Sequence, residues 1–416
     1  MNIAMVNTAD FGGGAERSVL SLHTALIARG IRSTLYVGKK HTQAEGVVEI
    51  PYVRGIPGSR RLMRLVESAT GWQDIYNPSF RGLYDLIPAD TDVIHFNNLW
   101  GGEDGGGYAD LSVLPKLTRR IPGVLTEHQT WSFTGHCSHF RECERWKIGC
   151  GSCPDLTIVP AVTRDGTRYN WRRKRRIVRM SNLSFVGISE WVTRTARESP
   201  IWAGVAKHTI YEGIDTEVFK GVPQAERHEL ARAFGIPHDR VKILVTGQTL
   251  EGFATGFAPY GIDSLFGLVS KDVTVVLVGR SSPLVAKRLT DAGLSCVAIP
   301  FQTSPQDMAK CYSASDVNLS ASRVEAFGCI AAESQACETP VVAFDSGGLK
   351  EVVRNGIGGL SVPFGDTKGL TTALSQLVYD GGLRRRLGVQ GRKFVVENFS
   401  VGVTSSKYIS LYESLL

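Results

Sequence analysis

The sequence predicts an α/β protein made of two doubly wound parallel sheets. Three observations carry that prediction. Short Val/Ile-rich runs of strand length alternate with longer helical runs throughout the chain. Glycine-rich turns stand between a strand and a helix in both halves, at Gly12-Gly13-Gly14 and at Gly347-Gly348. At 416 residues the chain exceeds one ordinary core, so two domains are expected.

The elements follow in order. NIAMV, residues 2–6, reads as a short apolar strand. SVLSLHTALIARG, residues 18–30, is an amphipathic helix closing on glycine, and STLYVG is the next strand. Buried-strand candidates then appear at TDVIHF, PGVLTEH and LSFVGIS. The second half repeats the rhythm with VKILVTG, VTVVLVG, LSCVAIP, DVNLSAS and TPVVAF. Such strands separated by helices imply right-handed parallel crossovers. The turn-rich stretch from Glu212 to Leu230 marks the division. It gives an N-terminal domain over residues 1–215 and a C-terminal domain over residues 216–398. Ligands of such sheets bind beyond the carboxyl ends of the strands, and a cleft between two sheets is the expected site.

Composition narrows the class. The chain is 43% hydrophobic and 21% charged, ordinary for a soluble globular protein. It has no 18-residue apolar span, and MNIAMVNTAD lacks the charged head of a signal peptide, so a cytosolic protein is expected. The net charge of +7 points to an anionic partner: a phosphorylated metabolite, phospholipid or nucleic acid. Much of the excess lies in WRRKRRIVR, residues 171–179. That run reads either as a solvated helix face or as a peripheral contact with an anionic membrane. No nucleic-acid recognition motif accompanies the charge, and no nucleic-acid partner is expected.

The stretch SRVEAFGCIAAESQACETPVVAFDSGGLKEVV, residues 322–353, carries the strongest chemical signal. Glu325 and Glu333 are separated by seven residues. A helix from Phe327 places Glu325 at its mouth and Glu333 about two turns inside. Phe327 and Gly328 form a tight entry. Ser346-Gly347-Gly348 opens a second helix carrying Glu351. Paired helix N-termini suit a diphosphate, and paired carboxylates suit sugar hydroxyls.

These residues resemble the retaining glycosyltransferases of family 4. The resemblance rests on the spaced glutamates, the E-A-F-G entry, the P-V-V-A strand and the G-G-x-x-E-V-V helix start. It also covers the loop Gly13-Gly14-Ala15-Glu16-Arg17, the Thr126-Glu127-His128 element, and the Glu212-Gly213-Ile214-Asp215 element with Phe219 after it. It implies the GT-B fold, two Rossmann-like domains facing a cleft, with residues 399–416 as a helix crossing back to the first domain. It implies that Glu333 holds the donor ribose and that Glu325 contacts the transferred sugar. Gly347 and Gly348 would approach the diphosphate through backbone amides. Gly13 and Gly14 would let acceptor and diphosphate come close, and His128 would sit near the reacting carbon. His128 and Glu325 are thus the candidate catalytic residues. Retention without an evident enzyme nucleophile implies front-face attack, with the departing phosphate taking the acceptor proton.

The chain departs from that pattern at the cations. Gln248 stands where the family has Arg, and Tyr260, before Gly261, stands where it has Lys. Arg280 and Arg323 are the candidates to supply the missing charge. Glu212 stands where the family has Asn. The leading expectation is transfer of a sugar from a nucleotide-sugar donor to a glycan acceptor, lipid-linked or not. The alternative is a non-catalytic nucleotide-sugar-binding or assembly protein of the same fold.

Four of the eight cysteines fall in one run, Cys137, Cys143, Cys150 and Cys153, spaced C-x5-C-x6-C-x2-C. In a reducing compartment this reads as a structural tetrahedral zinc site, with His136 or His139 able to replace a thiol. Free or redox-active cysteines are the alternative. Four thiolates leave no open position, so no catalytic metal is expected. The insertion, residues 131–155, is similar to one in bacterial polysaccharide-building members of family 4, and it follows His128 directly. Cys296, Cys311, Cys329 and Cys337 stand in apolar context and read as packed thiols.

Overall fold

The apolar runs become strands, all paired in parallel. The computed structural model describes residues 1–51, 59–99, 109–237, 239–249, 261–268, 272–280 and 283–416. The first sheet contains β1 (Asn2–Ala9), β2 (Arg32–Lys39), β3 (Val47–Glu49), β4 (Val93–Asn97), β5 (Gly123–Glu127), β6 (Leu183–Gly187) and β7 (Lys207–Thr209). Its strand order is β3-β2-β1-β4-β5-β6-β7. The second contains β8 (Val241–Thr249), β9 (Val273–Arg280), β10 (Ser295–Ile299), β11 (Val317–Ser320), β12 (Val341–Asp345) and β13 (Gly359–Pro363), in the order β10-β9-β8-β11-β12-β13. Each order reverses direction once, between β1 and β4 and between β8 and β11. Those are the switch points where doubly wound sheets place ligands.

The chain divides into two compact units, Met1–Gly213 with Thr404–Leu416, and Ile214–Val403. In unit 1, Ile3, Met5, Val93 and Val124 pack with the helix residues Val19 and Leu26. Tyr408, Leu411 and Tyr412 of the helix Val401–Glu413 belong to the same core. In unit 2, Val245, Val275, Leu277, Leu319 and Phe344 are fully or almost fully buried against Leu370 and Leu374. Burying such side chains is worth roughly 1.5–3 kcal/mol each.

Two elements start elsewhere than their residues predict. The first helix runs Gly14–Ala28, opening inside the glycine run rather than at Ser18. Glu16 makes this workable: its carboxylate accepts the Gly13 amide at 2.9 Å and caps the helix start. The helix expected from Phe327 begins at Cys329. Gly328 holds φ at 111°, left-handed, so the backbone cannot wind until the next residue. Glu333 therefore lies about one turn in, rather than two.

Candidate active site

Unit 1 gathers polar groups at the carboxyl ends of its strands. His128 follows β5 and is 8% exposed. Its Nδ1 stands 2.7 Å from Oε1 of Glu212, a residue 84 positions later and just beyond β7. Its Nε2 stands 3.1 Å from Oδ1 of Asn97, the last residue of β4. The Ser18 hydroxyl, from the first helix, donates to the other Glu212 oxygen. Burial alone would lower the His128 pKa. The Glu212 carboxylate, by charge and hydrogen bond, with Glu16 and Glu127 behind it, holds it above its ordinary value.

Beneath this pair runs a buried hydrogen-bond chain. Tyr412 Oη meets His95 Nδ1 at 2.7 Å, His95 Nε2 meets Thr126 Oγ1 at 2.7 Å, and Thr126 meets Tyr408 Oη at 2.9 Å. Burial, with the His128 charge nearby, pushes His95 down to about 3, so it stays neutral. The C-terminal helix is thus tied into the strands that carry His128.

A mostly apolar pocket lies beside His128, bounded by Leu111, Leu125, Trp131, Ile177 and Trp202. Glu127, His128 and Lys174 are its charged members. Lys174 Nζ donates to the carbonyls of Trp131 at 2.7 Å and Thr134 at 3.1 Å. It also stands 3.3 Å from the centre of the Trp131 ring. Burial lowers its pKa to about 7, opposed by the charges of Asp74 and Glu127. Burial raises Glu127, whose Oε2 accepts the Ser132 amide at 3.2 Å.

The basic run forms the helix Thr167–Met180. Thr167, Asn170, Trp171, Lys174, Ile177 and Val178 face inward, while Arg168, Arg172, Arg175, Arg176 and Arg179 are exposed. The inward face supports the cysteine loop: Trp171 Nε1 donates to the Trp146 carbonyl at 2.9 Å, and Thr167 Oγ1 accepts the Gly151 amide at 2.9 Å.

Cys137, Cys143, Cys150, Cys153 and His136 line one pocket in that loop. The knuckle is wound left-handed at Gly149, Cys150, Gly151 and Ser152. The Gly135 amide donates to Cys150 Sγ at 3.2 Å, and His136 Nε2 lies 3.3 Å from Cys153 Sγ. Burial pushes Cys137 up to about 11 and Cys150 up to about 12. Among the described residues, no three His, Cys, Asp or Glu side chains are drawn together closely enough to hold a metal ion. The donor set, four thiols and a neighbouring imidazole lining one pocket, suits zinc in kind.

Unit 2 arranges its candidate residues around backbone turns. Glu325 precedes the Phe327-Gly328 entry. Its carbonyl accepts the Gly348 amide at 2.8 Å, so this amide is already engaged. Gly347 has φ 56°, and a Cβ there would stand 2.2 Å from the Glu325 carbonyl oxygen. Only glycine lets the two turns touch. Burial raises the Glu325 carboxyl, opposed by a hydrogen bond from Ser322. Glu333 is 5% exposed and accepts the Tyr312 hydroxyl at 2.9 Å. Phe327 is buried edge-on to Phe399. Ser346, ahead of the glycines, has a buried Oγ with no hydrogen-bond partner among the described residues. Arg280 is exposed at the end of β9, and Arg323 is half-buried. Tyr260 lies outside the described residues, and of Gln248 only the backbone in β8 is described. Gly13 and Gly14 belong to unit 1, where Glu16 engages the Gly13 amide.

Two Rossmann-like domains, one with a buried histidine–carboxylate pair and one with spaced glutamates on a glycine turn, define a GT-B glycosyltransferase scaffold. Residues 12–218 match the model of Glycosyltransferase Family 4, and residues 265–394 match that of Glycosyl transferases group 1. The chain belongs to this glycosyltransferase family. Escherichia coli K12 WcaC, whose name marks it as a candidate colanic acid biosynthesis glycosyl transferase, is 25% identical over 85% of each chain. D-inositol 3-phosphate glycosyltransferase 1 of Catenulispora acidiphila is 31% identical over 42% of this chain. That match spans 43% of the relative's own length, under half. Among solved structures, sucrose-phosphate synthase from Thermosynechococcus elongatus aligns over 100% of this chain and 98% of its own, with a TM-score of 0.71 and 20% identity. Anabaena HepE, solved with UDP and glucose, aligns over 100% of both chains with a TM-score of 0.69 and 16% identity. These two likenesses show the fold.

Sequence reasoning singled out His128, Glu325 and Glu333 but assigned no partner to any of them. Asn97 and Ser18 carried no signal of their own. Glu212 did, as an acid in a position where the resembling enzymes have Asn. Lys174 was hidden inside a basic run, although it faces inward.

Proposed function

We propose that the chain is a retaining glycosyltransferase of polysaccharide biosynthesis, moving a sugar from a nucleotide-sugar donor to a glycan acceptor. The observation that carries this reading is the unit 2 constellation. Glu333 is buried and accepts the Tyr312 hydroxyl, Glu325 stands half-buried ahead of the Phe327-Gly328 entry, and the turn between β12 and its helix is so tight that only glycine fits at Gly347. The match to WcaC over most of both chains supports the polysaccharide context. HepE, of like fold, has been solved with UDP-glucose, which supports a nucleotide-sugar donor.

In this reading unit 2 holds the donor. Glu333 takes the ribose hydroxyls and Glu325 the transferred sugar. The acceptor hydroxyl attacks the anomeric carbon on the face from which the diphosphate leaves, and its proton passes to the departing phosphate oxygen. The protein contributes placement and charge stabilisation. Incubation with UDP-, GDP-, ADP- and dTDP-sugars, read by mass spectrometry, tests it: one donor should be consumed. A second reading, a non-catalytic binder, draws on Gln248 and Tyr260 in place of two cations. Donor binding without turnover or slow hydrolysis would favour it.

The cysteine loop is proposed as a structural zinc site held by Cys137, Cys143, Cys150 and Cys153. Zinc would supply folding energy to the loop beside His128 and no step of the reaction. Elemental analysis should find about one zinc per chain, lost on replacing Cys150 and Cys153. A metal-free, fully folded protein would contradict it. The exposed arginines of Thr167–Met180 are proposed to meet an anionic membrane surface. Among the described residues no helix is long and apolar enough to cross a membrane.

A further inference from the structure

Both ring nitrogens of His128 face oxygen atoms, Glu212 Oε1 at 2.7 Å and Asn97 Oδ1 at 3.1 Å. A carboxylate oxygen and an amide oxygen accept hydrogen bonds and donate none. The Asn97 amide is oriented from its other end, where Nδ2 donates to the His95 carbonyl at 3.4 Å. That orientation turns Oδ1 toward the ring. Glu212 is likewise committed as an acceptor, because the Ser18 hydroxyl donates to its second oxygen. A neutral imidazole would set a bare ring nitrogen against one of these oxygens.

We infer that Glu212 is a positioning residue that keeps His128 as a doubly protonated imidazolium at neutral pH, in a buried hydrogen-bonded ion pair at the end of β5. Its consequence for catalysis rests on the proposed glycosyl transfer. Activity would then follow the protonation of His128 and fall as the ring loses its proton. Because both N–H groups are already donated, the ring is held in one orientation and has no N–H left to offer a substrate.

The surroundings agree with this assignment. Glu16 from the helix Gly14–Ala28, Glu127 from β5 and Glu212 beyond β7 all favour the charged ring. His95 from β4 stays neutral, with its own nitrogens on Tyr412 and Thr126. Tyr408, from the helix Val401–Glu413, feels the Glu212 charge and is pushed upward by burial. Lys174, from Thr167–Met180, acts on Glu127.

The test is nitrogen-15 NMR of the full chain labelled at its nine histidines, with the His128 signal assigned by His128→Gln. Wild type should show both His128 nitrogens protonated at pH 7 and titrating above an ordinary histidine. Glu212→Gln should lower that titration by about one pH unit or more, since an opposite charge is lost while burial remains. Glu212→Asp should restore part of it, and Ser18→Ala should lower it by less. In transfer assays, the alkaline limb of the pH profile should move with the NMR titration in the same variants. A neutral His128 at pH 7 in wild type, or a titration that none of the Glu212 and Ser18 variants moves, overturns the inference. The predicted NMR behaviour with no transfer at any pH would uphold the charge assignment and count against the proposed function.

Discussion

The two units build their sites by different means. Around His128, geometry comes from side chains that meet across long sequence separations. Around Glu325, it comes from backbone turns that touch because no side chain intervenes. The first arrangement is electrostatic and answers to pH. The second is steric and answers to a single methyl group.

The largest effect should come from the carboxylates of unit 2. Glu325→Ala is expected to lower turnover by about 10²–10³-fold with the fold retained, as for loss of one group aimed at developing charge. Glu333→Ala should instead raise the donor KM more than it lowers kcat. Steady-state kinetics beside circular dichroism checks both. Equal, small changes in each variant would place the donor elsewhere.

The next effect should come from the backbone. Gly347→Ala puts a Cβ 2.2 Å from the Glu325 carbonyl oxygen at a φ of 56°. Strain of this kind costs about 1–3 kcal/mol, and the turns must also part. Thermal unfolding should show a lower Tm, and activity should fall with it. The corresponding change at Gly13, where a Cβ meets Glu16 Oε2 at 3.2 Å and no other described residue, should be milder.

The smallest effect should be the pH dependence of stability in unit 1. The folded-state pKa of His128 is raised above its ordinary 6.5. Its contribution is therefore fully present below that value and is lost as pH rises through the folded pKa. Every tenfold gain in the ring's proton affinity on folding is worth about 1.4 kcal/mol. Urea unfolding at pH 6 and pH 9 should show wild type losing more stability on the alkaline side than His128→Gln. Equal losses would mean that the pair stabilises nothing.

How much of this was legible follows the same division. The central strands and both glycine turns were readable because their signals are local: an apolar run, then glycine, then a helix. The short strands β3 and β7 were not, since three residues at a sheet edge leave no periodic pattern. The delayed helix start at Cys329 needed the left-handed φ of Gly328, which the sequence permits but does not require. The Glu212–His128 pair spans 84 residues and the Asn97–His128 pair 31, and no single sequence encodes such contacts openly. Lys174 shows the opposite error: read as part of a solvated or membrane-facing charge run, it is 5% exposed and bonded to two carbonyls.

Incubating the purified chain with a panel of nucleotide sugars and glycan acceptors, with products read by mass spectrometry and anomeric NMR, tests the central claim most directly. Transfer from one donor with retained anomeric configuration is the expected result. Donor that binds but is neither transferred nor slowly hydrolysed, or that never binds, would contradict it.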